Sequence, residues 1–178
     1  MGYSDIKKEL YEEVVLQLKG LFEDCPYEIA NLSNASALLN QAMKEINWVG
    51  FYQMKTVRDI LSVEGISDSQ KEMLILGPFQ GKAACVEIQV GRGVCGTAVE
   101  KDEIQLVKNV HEFPGHIACD SASNSEIVLP IHKDGKVWGV LDIDSPLLGR
   151  FDEEDREGLV EVVKVIEEML IYSGNDLS

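Results

Sequence analysis

The chain has 178 residues, 45% of them hydrophobic and 26% charged, with a formal net charge of −15; this predicts one domain spanning residues 1–178 rather than two. No apolar run approaches the roughly 20 residues of a membrane span, and the acidic balance repels phosphate backbones and anionic bilayers, so nucleic-acid and membrane partners are excluded. The amino-terminal run lacks the apolar core of a signal peptide, and Cys25, Cys85, Cys95 and Cys119 are too few and too dispersed for a secreted disulfide scaffold. A soluble, cytoplasmic protein with resting thiols reduced is expected.

From about residue 4 to residue 24, Ile6, Leu10, Val14, Leu18 and Leu21 recur at helical spacing behind Ser4 as a cap, predicting an amphipathic helix. A second helix is predicted from Ser33 to Glu45 on Ala35, Leu38, Leu39 and Ala42, leading into an aromatic strand from Asn47 to Tyr52. The polar stretch 56–71 reads as a hairpin excursion before the strand Met73 to Leu76. Cys85 to Val90 is a strand candidate, followed by a glycine-rich bend, a short helix from Gly96 to Glu100, and an edge-like strand from Ile104 to Val107. Pro114, Gly115 and small polar residues make Val110 to Ser125 a loop.

Two further strands, Glu126 to His132 and Val137 to Asp144, are joined through Lys133-Asp134-Gly135. A three-residue loop there sets His132 against Lys136 and Glu126 against Asp142, with Asp144 on the same face, so three carboxylates converge. A two-residue Asp134-Gly135 turn would send Glu126 to the other face. The last helix is predicted to start at Asp152 as its cap and to bury Leu159, Val162, Val163, Ile166 and Leu170. The pattern predicts an α+β fold: a central antiparallel sheet of about six strands flanked by amino- and carboxy-terminal helices, with a core from about residue 31 to residue 170.

Several motifs lose their first appeal on inspection. Gly91-Arg92-Gly93-Val94-Cys95-Gly96 matches a dinucleotide fingerprint but has no strand-helix-strand alternation around it. His111, His116 and Cys119 lack the paired spacings and fourth ligand of a structural zinc site, so no metal is expected. His116 three residues before Cys119 suggests a Cys–His hydrolase as a lesser reading. The stronger constellation is Cys119 in a small-residue loop, with Cys85 and Cys95 upstream and Glu126, Asp142 and Asp144 downstream. Reducing a sulfoxide needs a thiol to attack sulfur, a proton for the departing oxygen, and a second thiol to resolve the sulfenic acid. Crowded carboxylates repel one another, so one retains a proton it can donate; a pair can also hold an ammonium. Trp48 and Tyr52 share a strand face and suit a methyl-sulfur group.

At these residues the chain resembles the free methionine-(R)-sulfoxide reductases, a family of single GAF-domain proteins, over about Asn31 to Leu170. Asn47-Trp48-Val49-Gly50-Phe51-Tyr52, Gly93-Val94-Cys95-Gly96-Thr97-Ala98, Pro114-Gly115-His116-Ile117-Ala118-Cys119-Asp120 and Gly139-Val140-Leu141-Asp142-Ile143-Asp144 carry the likeness. It implies Cys119 as the attacking cysteine, Cys85 as the main resolving thiol and Cys95 as a second. It further implies Glu126, Asp142 and Asp144 on the amino group and sulfoxide, with Trp48 and Tyr52 around the methyl. A disulfide recycled by thioredoxin, a homodimer and no bound cofactor are also implied. A small-molecule-sensing GAF module shares the fold but gives no reason for three cysteines around one pocket.

Overall fold

A computed structural model describes residues 3–58, 70–115 and 121–173. Helices α1 (Tyr3–Phe22) and α2 (Glu28–Ala42) precede strands β1 (Trp48–Arg58), β2 (Gln70–Gly81) and β3 (Glu87–Gln89). Helix α3 (Gly93–Lys101), strand β4 (Gln105–Val107) and a short 3-10 turn (Val110–Glu112) follow, then β5 (Ser125–Lys133), β6 (Lys136–Ser145) and helix α4 (Glu153–Ser173). The six strands form one antiparallel sheet in the order β3-β2-β1-β6-β5-β4. The α+β architecture and strand number follow the sequence reading. No described helix is long and apolar enough to cross a membrane.

Strand alternation divides the interior in two. Val49, Phe51, Ile127, Leu129, Ile131, Leu141 and Ile143 project to the face covered by α1, α2 and α4 and form the larger core. Trp48, Tyr52, Leu74, Val128 and Val140 project to the opposite face, where Val94, Cys95 and Ala98 of α3 cover them. Each buried leucine or valine stabilises the fold by roughly 1.5–3 kcal/mol. The second core is the smaller one, and it holds the polar site.

The helices depart from expectation in register and length. Helix α1 starts at Tyr3, so Ser4 lies within its first turn rather than before it. Its buried stripe is Lys7, Tyr11, Val14 and Leu18, whereas Ile6 and Leu21 are exposed. Lys7 takes an inward position because Asp152 and Asp155 at the start of α4 meet its Nζ at 2.7 Å each. Helix α2 begins at Glu28, five residues before the predicted Ser33, with an extended Tyr27 at its cap position and Pro26 ahead of it; the carboxylate of Glu28 in the first turn complements the positive end of the helix dipole. Ala35 and Leu39 are buried as expected, while Leu38 and Ala42 are only partly covered. The predicted cap of α4 is present: Asp155 N donates to Asp152 Oδ1 and Asp152 N donates to Asp155 Oδ2, both at 3.1 Å. Its predicted apolar stripe is buried throughout.

β1 and β2 form the expected hairpin, paired as far out as Arg58 and Gln70. The middle of the 56–71 excursion lies outside the described residues. A register shift between Gly50 and Tyr52 sets two β2 residues, Gly77 and Pro78, against Phe51. A bulge of this kind tolerates proline in an interior strand, and Ser36 of α2 donates to the Pro78 carbonyl at 3.1 Å.

Candidate active site

The carboxylates meet through a register different from the predicted one. Lys133 pairs with Lys136, and Asp134 (φ 54) and Gly135 (φ 74) form a two-residue turn with both residues in the left-handed region. Alone, that turn would put Glu126 on the helix-covered face. Between Ile131 and His132 the register slips by one, leaving Trp138 as the extra residue, and parity is restored. Glu126 therefore stands opposite Asp144 rather than Asp142, and Asp142 stands opposite Val128. From the other side β1 places Trp48 opposite Asp144, Gly50 opposite Asp142 and Tyr52 opposite Val140. Residues directly opposite across antiparallel strands share a face, so all five predicted substrate-binding side chains come together.

The cavity they line measures about 40 Å³ and is closed by Ala83, Ala84 and Ile88 on one side and by Arg92, Gly93, Val94 and Cys95 on another. The aromatic wall is a stack. Trp48 lies 5.2 Å from Phe79 and 5.9 Å from Tyr52 between ring centroids. Their polar ends hold the segment after β2: Trp48 Nε1 donates to the Lys82 carbonyl at 3.1 Å, and Tyr52 Oη donates to the Cys85 carbonyl at 3.0 Å. Cys85, part-buried, is thereby tied to the rim of the cavity.

α3 supplies the roof. It starts at Gly93, three residues before the predicted Gly96, and packs close to the end of β3: a Cβ on Gly96 would sit 2.3 Å from the Gln89 carbonyl oxygen. That contact explains a glycine of the apparent dinucleotide fingerprint by packing. The first turn of α3 lines the cavity, bringing the positive end of the helix dipole to an acidic site.

Burial governs the ionisation here. Glu126 and Asp142 are each 6% exposed and Cys95 4%. Burial pushes Asp142 up to about 6, partly countered by hydrogen bonds it accepts from Cys95 and Glu126. Burial, then the charges of Asp142 and Asp144, push Glu126 well above the usual carboxylate range. Glu126 is thereby biased toward its protonated form, and Asp142, which accepts from it, toward the ionised one. Cys95 Sγ lies 4.0 Å from Glu126 Oε1, and burial with the adjacent Asp142 raises its thiol strongly. Burial and the Asp142 charge likewise raise the Tyr52 phenol, which stays a donor.

Of the three predicted reactive cysteines, the structure places Cys95 in the cavity and Cys85 at its rim. Cys85 is disulfide-bonded, whereas Cys25 and Cys95 are free. Cys119 and His116 lie outside the described residues. The chain just beyond them is anchored: buried Ser123 lines the cavity and accepts from Asn47 Nδ2 at 3.0 Å, while Asn124 accepts from His111 Nε2 at 2.8 Å and donates to the Pro146 carbonyl at 2.7 Å. His111 thus serves the loop. Sequence reasoning missed Arg92 and Ser123 as lining residues. Arg92 had a signal, since it stands at the mouth of a predicted helix; Ser123 had none, because only the fold of the loop brings it inward.

A cavity between the sheet and a short capping helix is the architecture of a small-molecule-binding α+β domain. The GAF domain family matches residues 27–169. Protein YtsP of Bacillus subtilis is 49% identical over 92% of this chain and 93% of its own, and the free methionine-R-sulfoxide reductase of Escherichia coli is 46% identical over 92% and 90%. The X-ray structure of free methionine-R-sulfoxide reductase from Neisseria meningitidis in complex with its substrate superposes with a TM-score of 0.83 at 41% identity, covering 94% of this chain and 92% of that one. The chain belongs to the GAF-domain family of free methionine-R-sulfoxide reductases.

Proposed function

We propose that this chain reduces free L-methionine (R)-sulfoxide to L-methionine. The observation that carries the reading is the meeting of Glu126, its carboxyl pushed well above the usual range by burial, with Asp142, Asp144 and the Trp48–Tyr52 wall in one cavity. Asp142 and Asp144 suit the substrate ammonium, and the stacked aromatics suit its methyl-sulfur end. Arg92 and the first turn of α3 suit its carboxylate. Recognition of both backbone charges favours a free amino acid over a peptide-bound residue.

In the reaction Cys119 attacks the sulfoxide sulfur. The oxygen takes a proton from Glu126, which recovers one from the Cys119 thiol; the hydroxyl then passes to the Cys119 sulfur as the bond between the two sulfurs breaks, so that methionine leaves and Cys119 becomes a sulfenic acid. This local proton transfer would supply the thiolate that nearby negative charge otherwise disfavours. Cys85 then attacks the sulfenic sulfur, releasing water and forming a disulfide that a thioredoxin dithiol reduces. The disulfide state of Cys85, with Cys25 and Cys95 free, supports Cys119 as its partner. The strongly raised Cys95 thiol suits it to a secondary resolving role. A homodimer is the expected assembly, and the chemistry needs no resident metal or organic cofactor. The test is intact-mass and peptide mapping after one turnover: a Cys85–Cys119 disulfide and one methionine per chain are expected. Methionine formed by Cys119→Ser at the wild-type rate would overturn the reading.

A further inference from the structure

We propose that Cys95, Glu126 and Asp142 form a binding site for a thiophilic divalent cation such as Zn²⁺, which sits between the α3 roof and the sheet in the substrate's place. Cys95 Sγ and one oxygen from each carboxylate lie within 4.8 Å of one another, and all three residues are buried. Clusters of exposed acids bind nothing in particular; this one differs in holding a sulfur and in its enclosure. A second observation points to a ligand: Asp142 Oδ1 is fully buried and has no hydrogen-bond partner among the described residues, although Asp142 lines the cavity and is only 6% exposed. Leaving a buried carboxylate oxygen unpartnered is unfavourable, and a cation removes that penalty.

The donor set selects the metal class. One thiolate and two carboxylates suit zinc, cobalt and cadmium, whereas calcium and magnesium take six or more oxygens. Tetrahedral coordination with Zn–S of about 2.3 Å and Zn–O of about 2.1 Å separates sulfur and oxygen by about 3.6 Å. The observed 4.0 Å between Cys95 Sγ and Glu126 Oε1 needs a contraction that side-chain rotation supplies. On binding, Cys95 gives its proton to solvent and enters as thiolate. Three protein ligands leave a fourth position for water. The ion would neutralise the carboxylates that otherwise hold an ammonium, so it would inhibit in competition with substrate; that consequence rests on the reductase reading, whereas binding itself does not.

The probe is Co²⁺ added to the whole protein, read by its thiolate-to-cobalt charge-transfer absorption and by displacement with Zn²⁺. One equivalent is expected to give the band, with excess Mg²⁺ or Ca²⁺ leaving it unchanged. The band should be retained in C25S and in a C85S/C119S double variant, lost in C95S, and shifted at least tenfold in apparent Kd in D142N. Absence of the band in wild type, its persistence in C95S, or equal affinity in D142N would each overturn the site. Cobalt binding without sulfoxide turnover would sink the reductase reading and leave the site standing; turnover without cobalt binding would do the reverse.

Discussion

Replacing Asp142 with Asn should make the protein more stable while removing its activity. Asp142 ionises at about 6 in the fold against an ordinary 3.8, chiefly because it is buried. A tenfold difference in proton affinity corresponds to ~1.4 kcal/mol, so holding this carboxylate ionised destabilises the fold by about 3 kcal/mol. The sign is opposite to that of a salt-bridged aspartate. Below pH 3.8 the group is protonated whether folded or unfolded and contributes nothing; above about 6 it is ionised in both states and the full penalty is present. Asn keeps the shape and can accept or donate toward Glu126 and Cys95 without a charge. In urea unfolding at about pH 8, D142N should gain about 2–3 kcal/mol, or roughly 6–10 °C in Tm for a chain of this size. The gain should shrink steadily as pH falls from 6 toward 4. A gain of the same size at both ends of that range, or a loss of stability at about pH 8, would refute the electrostatic reasoning.

Other outcomes follow from other contacts. Asp155→Ala should destabilise by about 3–5 kcal/mol in urea unfolding, because it removes an acceptor shared by Lys7 Nζ at 2.7 Å, Tyr11 Oη at 2.8 Å and Arg150 Nη1 at 3.1 Å, leaving buried cationic and phenolic groups under-paired; a change under about 1 kcal/mol would contradict this. Tyr52→Phe cuts the bond from the phenol to the Cys85 carbonyl, so rapid-quench mapping should show slower disulfide formation with methionine release in the first turnover nearly unchanged. Equal slowing of both steps would assign the Tyr52 hydroxyl, and not its ring alone, to substrate binding. Gly50→Ala puts a Cβ 2.3 Å from Phe79 Cβ and 2.7 Å from Trp48 Cη2; overpacking of about 1–3 kcal/mol and a raised KM are expected, measured by denaturation and steady-state kinetics.

The sheet and its helices were legible because their signals are periodic. Alternation in β5 and β6 and the stripe of α4 each rest on many residues, so a single error shifts a boundary without changing the element. The acidic cluster was legible for a subtler reason. Parity was inferred through the wrong turn, and the bulge at Trp138 restored it; a slip of one residue at the hairpin and another two pairs later add to a shift of two, which keeps Glu126 on its face and moves its partner from Asp142 to Asp144, and nothing local in Lys133-Asp134-Gly135 announces the second. Lys7 illustrates the opposite failure. A lysine in a helix reads as a solvent position, and the partners that make it an interior one, Asp152 and Asp155, lie 145 and 148 residues away. The inward turn of Ser123 likewise depends on Asn47, which no window along the chain joins to it; the start of α3 at Gly93 rests on the close approach of Gly96 to the Gln89 carbonyl, a contact that residue types alone do not announce.

The central claim is that one acidic, aromatic-walled cavity presents a free amino-acid sulfoxide to Cys119. It is tested most directly by measuring methionine release, with thioredoxin as reductant, from the free (R) epimer, the free (S) epimer and a peptide containing the sulfoxide. Turnover confined to the free (R) epimer, and abolished in Cys119→Ser, is predicted. Equal turnover of the peptide, or activity surviving without Cys119, would contradict it.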